Sequence, residues 1–170
     1  MPAVVSDASV LICLGAIQQL QLLKDFYEEV FVPNAVWREV TAATGPRAGA
    51  SETLQAYQQG WLKVQTPNNH QLVSSLQTSL GAGEAEAIAL ASELRANLLL
   101  IDESDGRKQA RALGLMIAGT VGVLMRGKQA GKIKELKPIL DILIQQHNFR
   151  VARDLYKEVL QQVGEIPTPQ

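Results

Sequence analysis

Four acidic side chains stand where the sequence pattern predicts that strands end or helices begin. Asp7 follows a short apolar, β-branched segment, and Asp102 follows a longer apolar run. Glu39 and Glu84 each lie early in a predicted helix. Because active sites in open parallel sheets gather at the carboxyl ends of the strands, we expect these four carboxylates to converge at one edge of a sheet.

Converging carboxylates require a counter-charge. Two like charges about 4 Å apart repel by roughly 4 kcal/mol at an effective dielectric constant near 20. A divalent cation removes this penalty, and oxygen-only ligands select a hard ion such as Mg²⁺ or Mn²⁺. Such an ion lowers the pKa of a bound water and bridges phosphate oxygens, which is the chemistry of phosphodiester hydrolysis. Each acid alone has a plainer interpretation as a helix cap or a partner of the helix dipole.

The composition of the 170-residue chain limits the class of protein. Apolar residues make up 46% of it, enough for a sizeable core, and 16 basic residues nearly balance 17 acidic ones. Without a basic excess, contact with nucleic acid must come from a local patch, a bound cation or an oligomer. The single cysteine, Cys13, lies in an apolar run and is interpreted as a core residue. The sequence shows neither a signal peptide nor an apolar stretch of membrane length, which predicts a cytoplasmic protein.

Short apolar segments alternate with helical patterns along the chain. Strands are predicted at residues 3–6, 30–32, 61–64, 98–101 and 115–118. Helices are predicted at residues 9–23, 35–40, 71–80, 84–96, 106–112, 121–128, 133–146 and 150–163. Glycine and proline between residues 44 and 60 indicate a loop or hinge. The alternation predicts an α/β sandwich with a mostly parallel sheet.

The helix that opens at Glu84 leads directly into the strand that precedes Asp102. A helix of about thirteen residues is roughly 20 Å long. If a simple crossover joins the helix to the strand, the strand runs back toward the start of the helix. This geometry predicts that Glu84 and Asp102 meet.

A single domain is predicted over residues 1–163. Its C-terminal helices, within 131–163, carry one apolar stripe, and we expect them to pack on the sheet or on a partner. Residues 164–170 contain two prolines and are predicted to form a loose tail.

The ordered motifs around the four acids resemble the PIN-domain family, and in particular the VapC-type toxins of bacterial toxin–antitoxin pairs. The matching segments are residues 4–12 (VVSDASVLI), 32–33 with 36–40 (VP and VWREV), 83–91 (GEAEAIALA) and 99–103 (LLIDE). Each segment alone is weak. Together they occur in the family's order and span residues 4 to about 124.

The resemblance implies a three-layer α/β/α sandwich and a Mg²⁺- or Mn²⁺-dependent ribonuclease site. Asp7 would bind the metal directly, and Glu39 would orient a metal-bound water. Glu84 occupies the third acid position, where VapC-type proteins usually carry aspartate, and Asp102 occupies the fourth. Ser9 matches a hydroxyl residue near the first acid that binds phosphate or metal-bound water.

Residues 102–107 (DESDGR) resemble a branch of PIN-like proteins that pairs a Gly-Glu-Ala-Glu-Ala motif with an Asp-Glu-x-x-Gly-Arg motif. On this pattern Asp105 is an additional metal ligand. Arg107 either holds a phosphate or pairs with a neighbouring acid, and the sequence leaves both open. Glu86 is expected to point away from the site, and Glu103 is expected to be an exposed loop acid.

The partners that the resemblance implies are an RNA substrate, a small antitoxin protein and a second copy of the chain. A basic cluster either guides RNA toward the acids or forms a solvated face. Its members are Arg126, Lys128, Lys132, Lys134 and Lys137.

Two other classes of protein also group acids in an α/β fold. A phosphoacceptor receiver domain needs two adjacent acids after its first strand and a lysine at the end of a late strand. Ser6-Asp7 gives one acid and residues 117–120 carry no lysine, so this class is disfavoured. A non-catalytic PIN-like module that binds nucleic acid or protein stays open, because glutamate at position 84 is atypical.

Overall fold

The computed structural model describes residues 2–41 and 49–170. The chain divides into two compact units, Met1–Thr120 and Val121–Gln170. The first unit contains the sheet and every acid of the predicted site, whereas the second is helical in its described elements. The single domain predicted over residues 1–163 stays a prediction.

A five-stranded parallel sheet forms the framework of the first unit. Its strands, in the order β3-β2-β1-β4-β5, are β1 (Val4–Ser6), β2 (Val30–Val32), β3 (Leu62–Val64), β4 (Leu98–Leu100) and β5 (Ile117–Ala118). All neighbouring pairs are parallel, so the predicted α/β sandwich class is confirmed. The inner strands β1, β2 and β4 are largely buried, as expected for a parallel sheet that is covered on both faces, whereas the edge strand β3 exposes Lys63.

The chain enters the sheet at its middle strand. From β1 it proceeds outward to β2 and β3, and then returns past β1 to β4 and β5. The strand order therefore reverses between β1 and β4. In open α/β sheets, such a reversal leaves a crevice at the carboxyl ends of the two strands, and ligands bind there. Asp7 directly follows β1, and Asp102 lies two residues beyond β4.

Ten helices are found in the described residues. Those that begin in the first unit are α1 (Ala8–Ala16), α2 (Gln21–Tyr27), α3 (Asn34–Thr41), α4 (Ala50–Gln58), α5 (His70–Leu76), α6 (Ala82–Glu93), α7 (Ser104–Ala112) and α8 (Thr120–Gln129). Those of the second unit are α9 (Leu136–Gln146) and α10 (Arg153–Gln162). Most predicted elements are present with shifted ends, and the apolar strand predicted over residues 115–118 is β5, which lies at an edge of the sheet rather than in its centre.

The helix predicted over residues 9–23 is two helices, α1 and α2. The N–H of Gln19 donates to the carbonyl of Leu14, and the N–H of Gln18 donates to that of Gly15. These two bonds form a Schellman motif, which ends a helix at a residue in the left-handed conformation. That residue is Gln18, with a φ of 57°. Glycine usually occupies this position, so the sequence carried no stop signal.

The prediction of a loop over residues 44–60 is wrong for residues 50–58, because these form α4. Residues 44–48 of that prediction lie outside the described residues. Gly49 adopts a φ of 85° at the start of α4. A Cβ on Gly15 of α1 would lie 2.2 Å from the Cα of Gly49, so the two glycines permit a close backbone contact. The glycine that indicated a loop is thus a packing residue.

In the second unit, residues predicted as a loose tail hold the start of α9. Glu165 accepts the N–H groups of Leu136 and Lys137 at 2.7 and 2.9 Å. Lys128 pairs with the same carboxylate, and Lys137 pairs with Asp141 of α9. Two members of the basic cluster are therefore engaged in internal ion pairs. No helix in the described part of the chain is both long and apolar enough to cross a membrane.

Candidate functional site

Asp7 occupies the N-cap of α1, at the carboxyl end of β1. Its Oδ1 accepts the N–H of Val10 at 3.0 Å, and its Oδ2 accepts the N–H of Asp102 at 3.4 Å. The side chain is buried, and burial is the main reason that the pKa of Asp7 lies well above its ordinary value. The charges of Asp102 and Glu84 raise it further. Asp7 is thus both a helix cap and a carboxyl group whose ionisation the protein opposes.

Asp102 lies beyond the end of β4 and is held by Thr120. Its Oδ1 accepts the N–H of Thr120 at 2.7 Å, and its Oδ2 accepts the hydroxyl of the same residue at 2.6 Å. Burial raises the pKa of Asp102, and the two bonds from Thr120 offset part of that rise. Thr120 was not among the residues predicted for the site.

Glu84 lies in the first turn of α6 and presents a buried oxygen. Its Oε2 has no hydrogen-bond partner in the described part of the chain. Burial is the main cause that raises the pKa of Glu84, followed by the charges of Glu103 and Glu39. A buried acceptor without a partner costs free energy. A cation bound at Oε2 would remove this cost.

An acid-lined cleft of about 430 Å³ opens at the carboxyl edge of the sheet. The polar side chains along it are Asp7, Ser9, Glu39, Glu84 and Glu103. Glu39 lies in the second half of α3 rather than early in the helix as predicted. Glu103 is exposed, as predicted for a loop acid, yet it lines the cleft. Its position was missed because nothing in its spacing distinguished it.

The remaining predicted site residues lie outside the lining of this cleft. Asp102 does not line the cleft, but its backbone N–H donates to Oδ2 of Asp7, which does. The negative charge of Asp105 helps to raise the pKa of Glu84. Nη1 of Arg107 donates to the carbonyl of Ile101 at 2.9 Å, so the guanidinium braces the chain next to Asp102. The positive charge of Arg107 also offsets part of the rise that burial causes in the pKa of Asp102, which agrees with the predicted pairing with a neighbouring acid; the phosphate alternative stays a prediction.

Three glycines stand directly against three of the acids. If each glycine carried a Cβ atom, that atom would lie 2.9 Å or less from an oxygen of the neighbouring carboxylate. The three pairs are Gly83 with Glu39, Gly106 with Glu84, and Gly119 with Asp102. Contacts under 3.0 Å force something to shift, so larger residues at these positions would displace the carboxylates. The absence of a side chain at each glycine thus leaves the space that the carboxylate oxygen occupies.

Glu86, which was predicted to point away from the site, does not line the cleft, and its side chain joins the two helices that carry Glu39 and Glu84. Its Oε2 accepts the N–H of Ala35, in the first turn of α3, at 2.9 Å. Helix α3 packs directly on α6, which carries Glu86. The carboxylate therefore caps α3 from a neighbouring helix and fixes the two acids relative to each other.

We predict that Glu86→Ala lowers the free energy of unfolding by about 1 kcal/mol, the usual cost of losing a helix cap. Urea unfolding followed by circular dichroism measures the change. Glu86→Gln keeps an acceptor oxygen and should lose less than half as much. Equal losses in the two variants would show that the cap is not the cause.

The type and placement of the candidate ligands decide whether the cleft suits a divalent cation. All candidate ligands are carboxylate oxygens, and one of them, Oε2 of Glu84, is buried and has no hydrogen-bond partner among the described residues. In the described part of the chain, however, no three His, Cys, Asp or Glu side chains are arranged to hold a metal ion. Mg²⁺ commonly binds to one or two carboxylates and keeps several waters. The residues therefore fit a hydrated hard cation.

The protein is built on a parallel α/β fold, and acidic side chains line the cleft at the carboxyl edge of its sheet, where the strand order reverses between β1 and β4. A family model described as PIN domain matches residues 3–165, nearly the whole chain, and the chain therefore belongs to the PIN-domain family. PIN domains are generally nucleases and generally use divalent metals. The predicted PIN-domain resemblance is confirmed, while the VapC-like branch stays a prediction.

Similarity to a solved structure was also found. The chain is similar to a PilT N-terminus domain protein from the hyperthermophilic archaeon Sulfolobus solfataricus P2. The two share 18% identity with a TM-score of 0.43, over 79% of this chain and 96% of that one. No curated protein matches the sequence significantly.

Proposed function

We propose that the protein is a Mg²⁺- or Mn²⁺-dependent endoribonuclease that hydrolyses phosphodiester bonds of RNA. The observation that carries the proposal is the buried Oε2 of Glu84, which has no hydrogen-bond partner among residues 2–41 and 49–170 and belongs to a side chain that lines the same cleft as Asp7. Membership in a family of nucleases supports hydrolysis of nucleic acid. The choice of RNA rests on the resemblance to VapC-type proteins.

The proposal assigns a role to each predicted acid. Asp7, Glu84 and Asp102 are metal ligands, Asp105 is an additional ligand, and Glu39 orients the attacking water. When bound, the cation would neutralise phosphate charge and lower the pKa of a coordinated water. Asp7, Glu39 and Glu84 share the cleft, which supports a common role for these three.

Two further residues are proposed to bind the substrate. Ser9 lines the same cleft as the acids, where its hydroxyl is placed to donate to a phosphate oxygen. Arg107 uses Nη1 on a backbone carbonyl, and a guanidinium has further N–H donors that suit a phosphate.

Cleavage of labelled RNA tests the proposal directly. Purified protein would be incubated with a single-stranded RNA and with a DNA of the same sequence, each with Mg²⁺, with Mn²⁺ or with EDTA. We expect internal cleavage of the RNA with either metal and none with EDTA. Glu158→Gln removes an exposed acid of α10 and is a matched control that should cleave like the wild type. Wild-type protein that binds RNA without cutting it under any of these conditions would refute the proposal.

We predict that Mn²⁺ raises the melting temperature by about 5–10 °C at pH 7.5 when present at roughly 100 times its dissociation constant. Burial raises the pKa values of Asp7, Glu84 and Asp102, so protons compete with the cation for these carboxylates as the pH falls. The increase should therefore shrink at pH 5. Differential scanning fluorimetry measures both values, and an increase that does not depend on pH would place the ion elsewhere.

The toxin role is a further part of the proposal and rests on the resemblance alone. Such a toxin would act in the cytoplasm, dimerise and be held inactive by a small antitoxin. We expect expression in a bacterial host to slow growth, and co-expression of a small neighbouring reading frame to restore it. Growth that is unaffected by the wild type would remove the toxin role and leave the nuclease proposal intact.

A second candidate function is a non-catalytic PIN-like module that binds nucleic acid or protein. One observation favours it: among the described residues, no three metal-ligating side chains are arranged around a common point. This candidate predicts RNA binding that is insensitive to EDTA. The cleavage assay with and without metal therefore separates the two functions.

A further inference from the structure

Thr120 is a buried polar residue at the start of α8 and is the last residue of the first unit. Both of its donors are used on one acid, because its N–H and its hydroxyl bond to the two oxygens of Asp102. Bonds to both oxygens fix the plane of a carboxylate as well as its rotamer. A carboxylate has about four lone-pair sites, so each oxygen keeps capacity for a further ligand.

The sheet register places Thr120 opposite Asp102. Leu100 of β4 pairs with Ala118 of β5, and the N–H of Ile101 donates to the carbonyl of Ala118 at 2.8 Å. Asp102 lies two residues beyond Leu100, and Thr120 lies two residues beyond Ala118. The strand pairing therefore aligns the threonine with the acid.

The hydroxyl proton of Thr120 is directed toward Asp102. The thiol of Cys13 also makes a hydrogen bond with the Thr120 side chain, and burial raises the pKa of that thiol to about 12. The Thr120 hydroxyl donates to Oδ2 of Asp102 at 2.6 Å, and an ionised carboxylate can only accept, so the single hydroxyl proton is used in this bond.

Gly119 completes this arrangement. A Cβ at this position would lie 2.6 Å from Oδ1 of Asp102 and 3.0 Å from Nη1 of Arg107. The backbone at Gly119 thus lets the carboxylate approach the N-terminus of α8. The positive end of the helix dipole there favours the ionised acid.

We infer that Thr120 is a positioning residue for the proposed nuclease, one that holds Asp102 in the orientation that binds the metal ion. The inference rests on the proposed function, because it takes Asp102 as a metal ligand. Groups that orient a metal ligand typically contribute 10–100-fold to metal affinity or activity. Nothing in the spacing of the acids pointed to this residue.

Replacing the hydroxyl while keeping the volume tests the inference. We expect Thr120→Val to weaken Mn²⁺ binding by about 10-fold or more, and to lower kcat with little change in the KM for RNA. Thr120→Ser keeps the hydroxyl and should remain within about threefold of the wild type in both measurements. Electron paramagnetic resonance of unbound Mn²⁺ gives the affinity without reference to activity, and thermal melting verifies the fold. Wild-type Mn²⁺ affinity and kcat in a folded Thr120→Val would overturn the inference.

A measurement on the wild-type protein covers the case in which Thr120→Val does not fold. The nitrogen of Thr120 and the carboxyl carbon of Asp102 should show a scalar coupling across their hydrogen bond, and the coupling should persist when Mg²⁺ is added. Its loss on adding Mg²⁺ would show that Asp102 is reoriented, which contradicts the inference. If the wild-type protein binds Mn²⁺ but cleaves no nucleic acid, the proposed function fails. The Mn²⁺ affinities of the wild type and of the two Thr120 variants would still show whether Thr120 positions a metal ligand.

Discussion

Asp7→Asn will lower RNA cleavage by at least about 10³-fold, which corresponds to roughly 4 kcal/mol of transition-state stabilisation. Asparagine retains an oxygen that can accept the N–H of Val10, so the cap of α1 survives. What is lost is the negative charge beside Glu84 and Asp102. A gel assay of labelled RNA measures the rate, with Glu158→Gln as the control. Cleavage within tenfold of the wild type would mean that Asp7 is only a helix cap.

The same substitution should stabilise the fold at neutral pH. Burial raises the pKa of Asp7 above its unfolded value, so the folded state binds more protons than the unfolded state. The resulting destabilisation is absent below the unfolded pKa, grows as the pH rises, and is complete above the folded pKa. Asparagine carries no charge and avoids it. We expect a gain of about 1–2 kcal/mol at pH 7.5, or roughly 2–8 °C in melting temperature, that disappears near pH 4.

Thermal melts of both proteins across this pH range measure the gain. A variant that is less stable at every pH would show that the lost capping strength outweighs the removed charge. A gain of the same size at every pH would also contradict the argument, because the ionisation of Asp7 would then not be its source.

Gly106→Ala is expected to lower cleavage by about 10–100-fold. The added Cβ would lie 2.5 Å from Oε2 of Glu84 and 2.7 Å from Cδ1 of the buried Ile101. The carboxylate must move, and misplacement by about 1 Å can cost 10²-fold in rate. The core contact should destabilise the fold by about 1–3 kcal/mol, offset in part by the better helix propensity of alanine.

Gly81→Ala is the matched control for this prediction. Its Cβ would lie 3.9 Å from Oε1 of Glu84, an ordinary van der Waals contact, so the rate should remain near that of the wild type. Glu84→Asp combined with Gly106→Ala should recover part of the activity, because the shorter acid leaves room for the methyl group. Equal rates for Gly106→Ala and the wild type would show that Oε2 of Glu84 is not needed in its present position.

Gly106 also accounts for the atypical glutamate at position 84. VapC-type proteins usually carry an aspartate there, and the longer side chain left its reach in question. The absence of a side chain at Gly106 provides the space that Oε2 of Glu84 occupies. In this chain, Gly106 of the segment DESDGR and Glu84 of the segment GEAEA are therefore in contact.

The parts of the site that follow from local patterns were predictable. Asp7 and Asp102 were located by the apolar runs that precede them, and the crossover argument placed Glu84 at the same edge of the sheet. Thr120 was not predictable because its role depends on the register between β4 and β5, which no local pattern specifies. The break after α1 was missed because Gln18 adopts the conformation that usually marks a glycine.

The central position of β1 has a consequence for protein synthesis. Its partner β4 lies more than ninety residues later in the chain, and the register pairs Val4 with Leu98. Contacts at such separations form late, because a long segment must first be closed into a loop. Asp102 and the residue that orients it leave the ribosome long after Asp7 does. A ribosome-bound chain that stops short of Thr120 contains all four acids but lacks the residue that bonds to both oxygens of Asp102. Under the proposed function, such an incomplete chain would cleave RNA less well than the complete protein.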